Sequence, residues 1–378
     1  MIGIDVSLAV GEKAGVGYYA ASLIEALAKI DRQHDYMLYP FFGNTMHPDF
    51  KKVTALATGN FRVFMDSASP SRVRLTRIKF GIDNSRYFNG IDLLHCTSFF
   101  IPKQYSGPII STIYDVSFLL FPECHTEANR LYCLQGTLDA ADRCDRIIAI
   151  SENTKSDLIK YFAVEPERVV VTHLAPRDVF RPINDELMRG TVLKKYGIKG
   201  SYIFSLGSIE PRKNLIRLIR AYALLDERTR GRFSLVIAGG TGWLNSDIYA
   251  EVKELNLSDY VKFIGYIVDE DLPVLYSAAD MFVYPSLYEG FGLPVVEAMA
   301  CGAPVITSNN SSLREIAKGA ALLIDPIDET AIANAILDII NDRELANDLR
   351  AKSIIRSSEF SWLEAARKTL AVYEACIR

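Results

Sequence analysis

The amino-acid sequence predicts an α/β protein built of two doubly wound, Rossmann-like domains. Short apolar, β-branched segments alternate with longer amphipathic stretches along the chain, which is typical of parallel sheets with right-handed helical crossovers. The alternation occurs twice, on either side of a stretch at 176–200 that interrupts the strand pattern. The length of 378 residues also fits two domains, since one domain typically holds about 100–200 residues.

The first half contains segments that we predict to be strands buried on both faces, because they are nearly continuous in apolar residues. They lie at 2–6, 36–42, 61–66, 92–97, 109–114, 146–150 and 169–173. Helices are predicted at 17–30 and 127–142, where apolar residues recur at helical spacing. A third helix runs to Tyr161, with Ser151 or Asn153 as its N-cap.

The second half repeats this alternation more regularly. Strands are predicted at 201–206, 234–238, 261–264, 281–284, 304–307 and 321–324. Helices are predicted at 215–225, 246–255, 269–279, 294–301, 312–318 and 329–351, and a final helix at 362–377. These elements divide the chain into a first domain at 1–180, a second domain at 181–358 and a terminal helical segment at 359–378.

The composition is that of an ordinary globular protein, with 49% hydrophobic and 23% charged residues. A net charge of −4 gives no electrostatic footprint for nucleic acid. Met1 leads directly into an apolar strand rather than a signal peptide, and no apolar run reaches the ~18 residues of a membrane span. The six cysteines form no CxxC pair and no zinc pattern, so we expect reduced thiols in a cytoplasmic protein without a metal site.

A glycine-containing loop joins a strand to a helix in the second half, with the sequence Glu-Gly-Phe-Gly-Leu-Pro at 289–294. A ligand can approach the backbone amides of Gly290, Phe291 and Gly292 closely, because glycine has no Cβ. The helix that begins near Leu293 adds free N–H groups and the positive end of its dipole, which favour a phosphate. The loop therefore predicts an anion-binding site beyond the carboxyl end of a strand.

Two glutamates flank this loop. Glu289 precedes the glycines, and Glu297 lies in the first turn of the predicted helix. Two carboxylates at this separation can hold two different hydroxyl-bearing rings. The alternative is a pair of surface glutamates on an ordinary loop and helix, which the Gly-Phe-Gly-Leu-Pro connection makes the weaker interpretation.

A second motif, Leu-Gly-Ser-Ile-Glu-Pro-Arg-Lys-Asn at 206–214, also follows a strand and opens a helix. Arg212 and Lys213 are adjacent cations at a helix N-terminus, an arrangement that suits a diphosphate. An exposed basic pair with no ligand is the alternative. The two motifs together favour a phosphate-containing ligand in the second domain.

The sequence Glu-Gly-Phe-Gly-Leu-Pro-x-x-Glu-Ala-Met-Ala-x-Gly-x-Pro-Val at 289–305 resembles the donor-site motif of the family-4 retaining glycosyltransferases. The resemblance extends over nearly the whole chain and is strongest at 206–308. It implies the GT-B fold, in which two Rossmann-like domains face each other across a cleft. It also implies that the helix at 362–377 packs back on the first domain.

The resemblance implies a role for each motif residue. Glu297 would bind the donor ribose and Glu289 the transferred sugar, while the amides of the loop and the helix start at Leu293 would hold the diphosphate. Lys213 matches the family's lysine, and Arg212 would share its phosphate-binding role. Fixed cations at this point stabilise the charge of the leaving group as the glycosidic bond breaks.

Ser208 departs from the family, in which an arginine often follows the glycine. The Glu-Pro-Arg-Lys-Asn variant at 210–214 resembles a subgroup that acts in lipopolysaccharide and exopolysaccharide assembly. This subgroup suggests GDP-mannose as the donor. The loop after the strand at 261–264 contacts the nucleotide base in the family, which implies Ile267 and Asp269 as base contacts.

In the first domain, Gly15 and Gly17 resemble the family's N-terminal glycine loop, which lies under the donor phosphates and next to the acceptor. A flexible turn is the alternative. Asp115 belongs to a motif that often reads Thr-x-His-Asp in the family, but this chain has Tyr114 in place of the histidine. Tyr114 is either a hydrogen-bond donor near the sugar or a strand-end aromatic. His95 is either a residue of the acceptor cleft or a structural histidine.

Cations interleave with apolar residues at 72–80, Arg-Val-Arg-Leu-Thr-Arg-Ile-Lys-Phe. The pattern suggests peripheral association with anionic lipid at the inner face of the membrane, and a solvated helix face is the alternative. The resembling family often acts at the membrane surface, which agrees with the former.

The expected activity is retaining transfer of a hexose, best mannose, from a nucleoside-diphosphate sugar to a glycan or lipid-linked saccharide in cell-surface polysaccharide synthesis. We expect no metal, because Arg212 and Lys213 replace it, and no cofactor besides the donor substrate. The alternatives are a non-catalytic sugar-nucleotide-binding subunit of an assembly complex and a nucleotide-sugar 2-epimerase. Turnover that depends on Glu289 would eliminate the first, and dependence on an acceptor would eliminate the second.

Overall fold

The computed structural model describes residues 1–9, 15–39, 59–64 and 88–377. The chain forms two compact units. The first comprises Met1–Val116, Glu127–Leu174 and Ser361–Arg378, and the second comprises Ser117–Thr126 and Ala175–Phe360. The short stretch Ser117–Thr126 thus belongs to the second unit although it is preceded and followed in sequence by parts of the first, which the boundary drawn at 180 does not anticipate.

The first unit contains a seven-stranded parallel sheet in the order β3-β2-β1-β4-β5-β6-β7. The predicted strands are present within the described residues. They are β1 (Ile2–Asp5), β2 (Tyr36–Tyr39), β3 (Phe61–Val63), β4 (Leu93–Cys96), β5 (Ile109–Ile113), β6 (Arg146–Ala149) and β7 (Val169–Val171). The strand order reverses direction between β1 and β4, and ligands bind at such reversals in open parallel sheets.

The helices are numbered in chain order. The first unit contains α1 (Gly15–Ile30), α3 (Glu127–Arg143) and α4 (Glu152–Phe162), and the short helix α2 (Ser117–Leu120) belongs to the second unit. Of the two caps considered for α4, Ser151 is the one in place, since its side chain accepts a hydrogen bond from the Thr154 N–H. Short 3₁₀ turns lie at Pro122–Cys124 and Pro166–Arg168.

The terminal helix Trp362–Cys376 packs against α1 in the first unit. Its Tyr373 is fully buried, and its hydroxyl lies 2.7 Å from Nδ1 of His95. The other ring nitrogen of His95 lies 2.8 Å from the hydroxyl of Thr112. Burial lowers the pKa of His95 to about 3, so the imidazole is a neutral structural link between the sheet and this helix. The suggestion that it borders an acceptor site is therefore wrong, because no part of its ring reaches solvent.

The second unit contains a six-stranded parallel sheet in the order β10-β9-β8-β11-β12-β13. The strands are β8 (Ser201–Leu206), β9 (Phe233–Ala238), β10 (Val261–Gly265), β11 (Met281–Tyr284), β12 (Val305–Ser308) and β13 (Leu322–Ile324). Alternate residues of β8 and β11 enter two separate hydrophobic clusters: Ile203 and Val283 lie in one, Phe204 and Phe282 in the other. Both faces of the sheet are therefore buried, as the continuous apolar segments predicted.

Helices cover both faces of this sheet. They are α5 (Glu186–Lys195), α6 (Leu215–Ala223), α7 (Glu227–Arg232), α8 (Ser246–Glu254), α9 (Leu272–Ala278), α10 (Leu293–Ala300), α11 (Ser311–Ile316), α12 (Glu329–Asn341) and α13 (Arg343–Ser358). The terminal helix of the first unit, Trp362–Cys376, is α14. None of the helices in the described part of the chain is long and apolar enough to cross a membrane.

Two of the differences between the structure and the predicted helices are explained by a capping aspartate. The single helix predicted at 329–351 is divided at Asp342, whose side chain accepts from the N–H groups of Glu344 and Leu345 and so caps α13. An aspartate competes with the helix for backbone donors, which favours a new helix start over continuation. Helix α5 lies within the stretch at 176–200 that was predicted only as a domain boundary, and Asp185 caps it in the same way.

Candidate active site

The two predicted motifs follow neighbouring strands of the second sheet. Strands β8 and β11 lie side by side at the point where the strand order reverses. Residues 207–214 leave the carboxyl end of β8, and residues 285–292 leave the carboxyl end of β11. Because parallel strands end at the same edge, the sheet brings the two loops together, at the position where open α/β sheets bind ligands.

Glu289 lies at the centre of the contacts between these loops. Its Oε1 lies 2.6 Å from Nζ of Lys213, and its Oε2 lies 2.9 Å from Nη1 of Arg212. The hydroxyls of Ser286 and Tyr284 donate to the same Oε1 at 2.7 and 2.8 Å. Glu289 is only 8% exposed, so the alternative of a surface glutamate is wrong.

These cations determine the ionisation of Glu289. Burial raises the pKa of the carboxyl group, but the charges of Arg212 and Lys213 and the hydrogen bonds from Lys213 and Ser286 outweigh it and hold the pKa at about 2. Glu289 is therefore a carboxylate over the whole neutral range, poised to accept hydrogen bonds rather than to donate a proton.

Arg212 has two further partners. Its Nη2 donates to Oε1 of Glu210 at 2.8 Å, and its Nη1 donates to the backbone carbonyl of Tyr288 at 2.8 Å. We call Glu210, Arg212, Lys213 and Glu289 the ionic cluster. It contains two cations and two carboxylates, so its formal charges cancel. Glu210 was not among the predicted site residues, and only its place next to Pro211-Arg212-Lys213 in the sequence could have indicated it.

The glycine loop has the geometry that its sequence implies. Gly292 has a φ of 101°, and a Cβ at this position would lie 2.6 Å from Cδ2 of Leu313. The positive φ is the constraint that favours glycine here, and α10 begins at the next residue, Leu293. The ring of Phe291 packs edge-on against Phe360 at a centroid distance of 5.6 Å, and Gly290 is buried. The predicted anion-binding residues are thus held at the start of a helix.

Glu297, on α10, lies in a different environment from Glu289. It is also 8% exposed, but it accepts a hydrogen bond from a neutral group, the hydroxyl of Tyr276, which lies 3.3 Å from its Oε2. Burial raises the pKa of Glu297 to about 8, and the charge of Arg177 opposes the shift only in part. Glu297 is therefore largely protonated at neutral pH.

Arg177, whose charge acts on Glu297, also binds a predicted base contact. Its guanidinium binds Asp269 through both Nη atoms, at 2.7 and 3.3 Å, and stacks over the ring of Phe180. Asp269 therefore lies near the predicted ribose site, whereas Ile267 is 3% exposed and packs in the hydrophobic core of the unit. Arg177 and Tyr276 were not predicted as site residues, because neither belongs to a recognisable motif.

The unusual pKa of Glu297 predicts an effect of pH on stability. A carboxyl group whose pKa rises from 4.5 to about 8 on folding contributes stability that is complete below pH 4.5 and is lost as the pH rises through 8. Glutamine stays neutral throughout, so Glu297→Gln should remove that loss. Between pH 5 and pH 8.5, the free energy of unfolding, measured by urea titration, should decrease more in the wild type than in the variant. We expect the two decreases to differ by on the order of 2 kcal/mol.

The matched control is Glu254→Gln, which changes an exposed glutamate of α8. It should show the pH dependence of the wild type. If Glu297→Gln also showed that dependence, the carboxyl group would be ionised in the folded protein and the inferred protonation would be wrong.

The stretch Ser117–Thr126 lies against the loops of the second sheet. Nε1 of Trp243 donates to the carbonyl of Cys124 at 2.7 Å, and the Trp243 ring lies 6.3 Å from that of His125. The ring of Phe121 packs 5.8 Å from the ring of Tyr288, the residue before Glu289. No local sequence pattern indicates these contacts, because they join loops far apart in the chain.

The predicted residues of the first unit lie at the carboxyl edge of its sheet or at the start of α1. Gly15 begins α1 and is exposed, and Gly17 is buried. Asp115 follows β5 and is half-buried. Tyr114 is buried and donates its hydroxyl to the carbonyl of Thr97 at 2.6 Å, and burial raises its pKa well above 10. Tyr114 is thus a structural strand-end aromatic.

Two predicted features lie outside the described residues, namely the beginning of the N-terminal glycine loop at 11–14 and the basic segment at 72–80. Within the described ranges, no group of three or more His, Cys, Asp or Glu residues has the arrangement of a metal site. Transfer without a metal and membrane association through 72–80 stay predictions.

Comparisons with known proteins agree with this geometry. The model of Glycosyltransferase Family 4 matches residues 14–175, and that of Glycosyl transferases group 1 matches residues 191–356. The O-antigen chain mannosyltransferase B of Escherichia coli is 34% identical over 283 residues, which cover 75% of this chain and 74% of that protein. The serotype-specific mannosyltransferase WbdA of Escherichia coli is 34% identical over 229 residues, which cover 60% of this chain but 28% of WbdA.

Among solved structures, Anabaena HepE in complex with UDP and glucose superposes with a TM-score of 0.76 at 18% identity, covering 99% of this chain and 100% of HepE. This likeness shows the GT-B fold. Together with the two family models and the E. coli relative, it confirms the resemblance carried by the motifs at 206–214 and 289–305. The chain therefore belongs to the family-4, group 1 glycosyltransferases, and it is a hexosyltransferase of the GT-B fold.

Proposed function

We propose that this enzyme transfers mannose from GDP-mannose, with retention at the anomeric carbon, to a glycan or lipid-linked saccharide in the assembly of a cell-surface polysaccharide. The donor proposal is supported by the names of the E. coli relatives, which are mannosyltransferases. The observation that carries the site assignment is the buried ionic cluster between the loops after β8 and β11. It combines fixed cations for a diphosphate with an ionised carboxylate for sugar hydroxyls.

In the proposed reaction, Arg212, Lys213 and the N-terminus of α10 hold the donor diphosphate. Glu297 binds the ribose and Glu289 accepts hydrogen bonds from the transferred sugar. The bond between C1 and the phosphate oxygen breaks through an oxocarbenium-like state, and the charge that develops on the phosphate is stabilised by the two cations.

The acceptor oxygen then forms its bond to C1 on the face that the phosphate leaves, which gives retention. The proton of the acceptor hydroxyl passes to the departing phosphate oxygen, so no separate protein base is needed. This is consistent with Tyr114, whose hydroxyl is bound to the carbonyl of Thr97 and whose raised pKa keeps it protonated at neutral pH, so that it cannot accept the proton. We assign acceptor binding to the first unit, which contains Gly15, Gly17 and Asp115.

The nucleotide can be tested by thermal unfolding of the purified protein with GDP, UDP, dTDP or ADP. A ligand at 100 times its dissociation constant stabilises the folded state by about 2.7 kcal/mol. We expect GDP to raise the melting temperature most, and the rise to be smaller in Glu297→Ala, which lacks the proposed ribose ligand. A larger shift with UDP than with GDP would contradict GDP-mannose as the donor.

Turnover separates this proposal from its alternatives. A mannosyltransferase releases GDP only when acceptor is present, and the new linkage keeps the donor's anomeric configuration, which the anomeric proton–carbon coupling constant reports. An epimerase would alter the sugar nucleotide without acceptor, and a non-catalytic subunit would bind GDP without turnover. Loss of transfer on adding a chelator would contradict the metal-free mechanism.

A further inference from the structure

Glu210 is a buried carboxylate for which the proposed reaction has no role. It follows β8, immediately before the 3₁₀ turn Pro211–Lys213, and is 2% exposed. Its Oε1 lies 2.8 Å from Nη2 of Arg212. Burial of a carboxylate costs free energy unless the charge is paired. The pairing of Glu210 with Arg212 therefore indicates that Glu210 acts through that arginine.

The two carboxylates bind different nitrogen atoms of the same guanidinium. Glu210 accepts from Nη2, whereas Glu289 lies against Nη1. The planar fork of arginine holds these two directions at a fixed angle. Arg212 can therefore release Glu289 while its contact with Glu210 persists, which also keeps the guanidinium against the carbonyl of Tyr288.

Such a release is required if the proposed function is correct. Glu289 forms ion pairs with Arg212 and Lys213, the two cations that the donor diphosphate would bind. The diphosphate must compete with it for Arg212 and Lys213, and Glu289 must turn towards the transferred sugar. During this exchange the carbonyl of Tyr288 is one anchor for Arg212, and the ion pair with Glu210 is a second, charged anchor.

We propose that Glu210 is a positioning residue that holds Arg212 in the diphosphate site while Glu289 exchanges its cationic partners for the sugar. The inference rests on the proposed roles of Arg212 and Glu289. It has a second consequence, because the charge of Glu210 reduces the positive potential of the cluster. Glu210 thereby weakens the binding of the nucleoside diphosphate and favours its release after transfer.

The test compares Glu210→Gln and Glu210→Ala with the wild type. Both variants lose a negative charge beside the diphosphate site, so both should bind GDP more tightly, by about 10-fold in calorimetry at low salt. Both should nevertheless turn over more slowly. We expect kcat to fall by about 10²-fold in Glu210→Ala, since a small displacement of a catalytic group can cost that much. Glu210→Gln keeps an oxygen acceptor for Nη2, so its kcat should be partly restored.

Glu251→Gln is the matched control. Glu251 of α8 also forms an ion pair with an arginine, with its two oxygens 2.7 and 3.0 Å from Nε and Nη2 of Arg220. Its substitution removes a carboxylate from an arginine outside the ionic cluster, so kcat and the affinity for GDP should stay at the wild-type values.

Tighter GDP binding combined with a lower kcat would support the positioning role, because damage to the fold weakens both together. Unchanged kcat, or weaker GDP binding in Glu210→Gln at an unchanged melting temperature, would overturn it. If the wild type transferred no sugar from any donor, the proposed function would fail at that step. The affinity of Glu210→Gln for GDP would then decide on its own whether Glu210 opposes diphosphate binding.

Discussion

Replacing Glu289 with glutamine should reduce kcat by about 10³-fold, the upper end of the effect of removing one group that stabilises a transition state electrostatically. The side chain keeps its size but loses the charge that Arg212 and Lys213 hold in place. An amide presents one oxygen and a donor nitrogen where the carboxylate presented two acceptors. The sugar hydroxyls would therefore lose their strongest acceptor at the point where positive charge develops on the ring.

The same substitution should leave binding of GDP intact or strengthen it. Glu289 competes with a diphosphate for both cations, and the amide competes less. We would measure kcat at saturating donor and the dissociation constant of GDP in Glu289→Gln, with Glu254→Gln on the surface of α8 as the control. A kcat within about 3-fold of the wild type would contradict the assignment of Glu289 to the reacting sugar, since such a change is below the ~10²-fold expected of a group in that role.

Replacing Lys213 with alanine should have the second largest effect, a loss of about 10²–10³-fold in kcat/KM. Nζ of Lys213 lies 2.6 Å from Glu289 and 2.7 Å from the hydroxyl of Tyr284, at the carboxyl end of β11. Its charge would stabilise the phosphate as the donor bond breaks, and its loss would also remove one of the two cations that lower the pKa of Glu289.

The effect should depend on the phosphates of the ligand. Lys213→Ala should weaken GDP binding strongly and guanosine binding little, because guanosine has no charge for the lysine to contact. Lys213→Arg should restore part of the affinity for GDP. Lys262→Ala serves as the control, since Lys262 of β10 is bonded to the carbonyl of Gly197 and has no contact with the ionic cluster among the described residues. Equal loss of GDP and guanosine binding would place Lys213 away from the diphosphate.

Strand positions and the two donor motifs could be predicted from the sequence because their signals are local. Buried parallel strands are continuously apolar, and Gly292 and Pro294 mark a loop-to-helix transition by their own backbone preferences. Parallel strands that end at one edge then place the two loops side by side. The local signal was insufficient at Asp342, where a capping side chain ends a helix that the apolar spacing would continue.

The partners of polar side chains were decided by the tertiary structure, because they come from distant parts of the chain. His95 lies near the end of a strand, at the edge of the sheet where ligands bind. It is nevertheless covered by α14, and its Nδ1 is hydrogen-bonded to the hydroxyl of Tyr373. Tyr114 lies where the family often has a histidine, yet its hydroxyl donates a hydrogen bond to the carbonyl of Thr97. Neither contact leaves a pattern in the neighbouring sequence.

Glu289 and Glu297 show this division most clearly. The sequence by itself determined that two glutamates flank a glycine-containing loop at the start of a helix. It did not determine their ionisation, since the two residues have the same ordinary pKa. Folding places Glu289 between Arg212 and Lys213, where its pKa falls to about 2. It buries Glu297 beside the hydroxyl of Tyr276, where its pKa rises to about 8, because desolvation there outweighs the charge of Arg177 and the hydrogen bond from Tyr276.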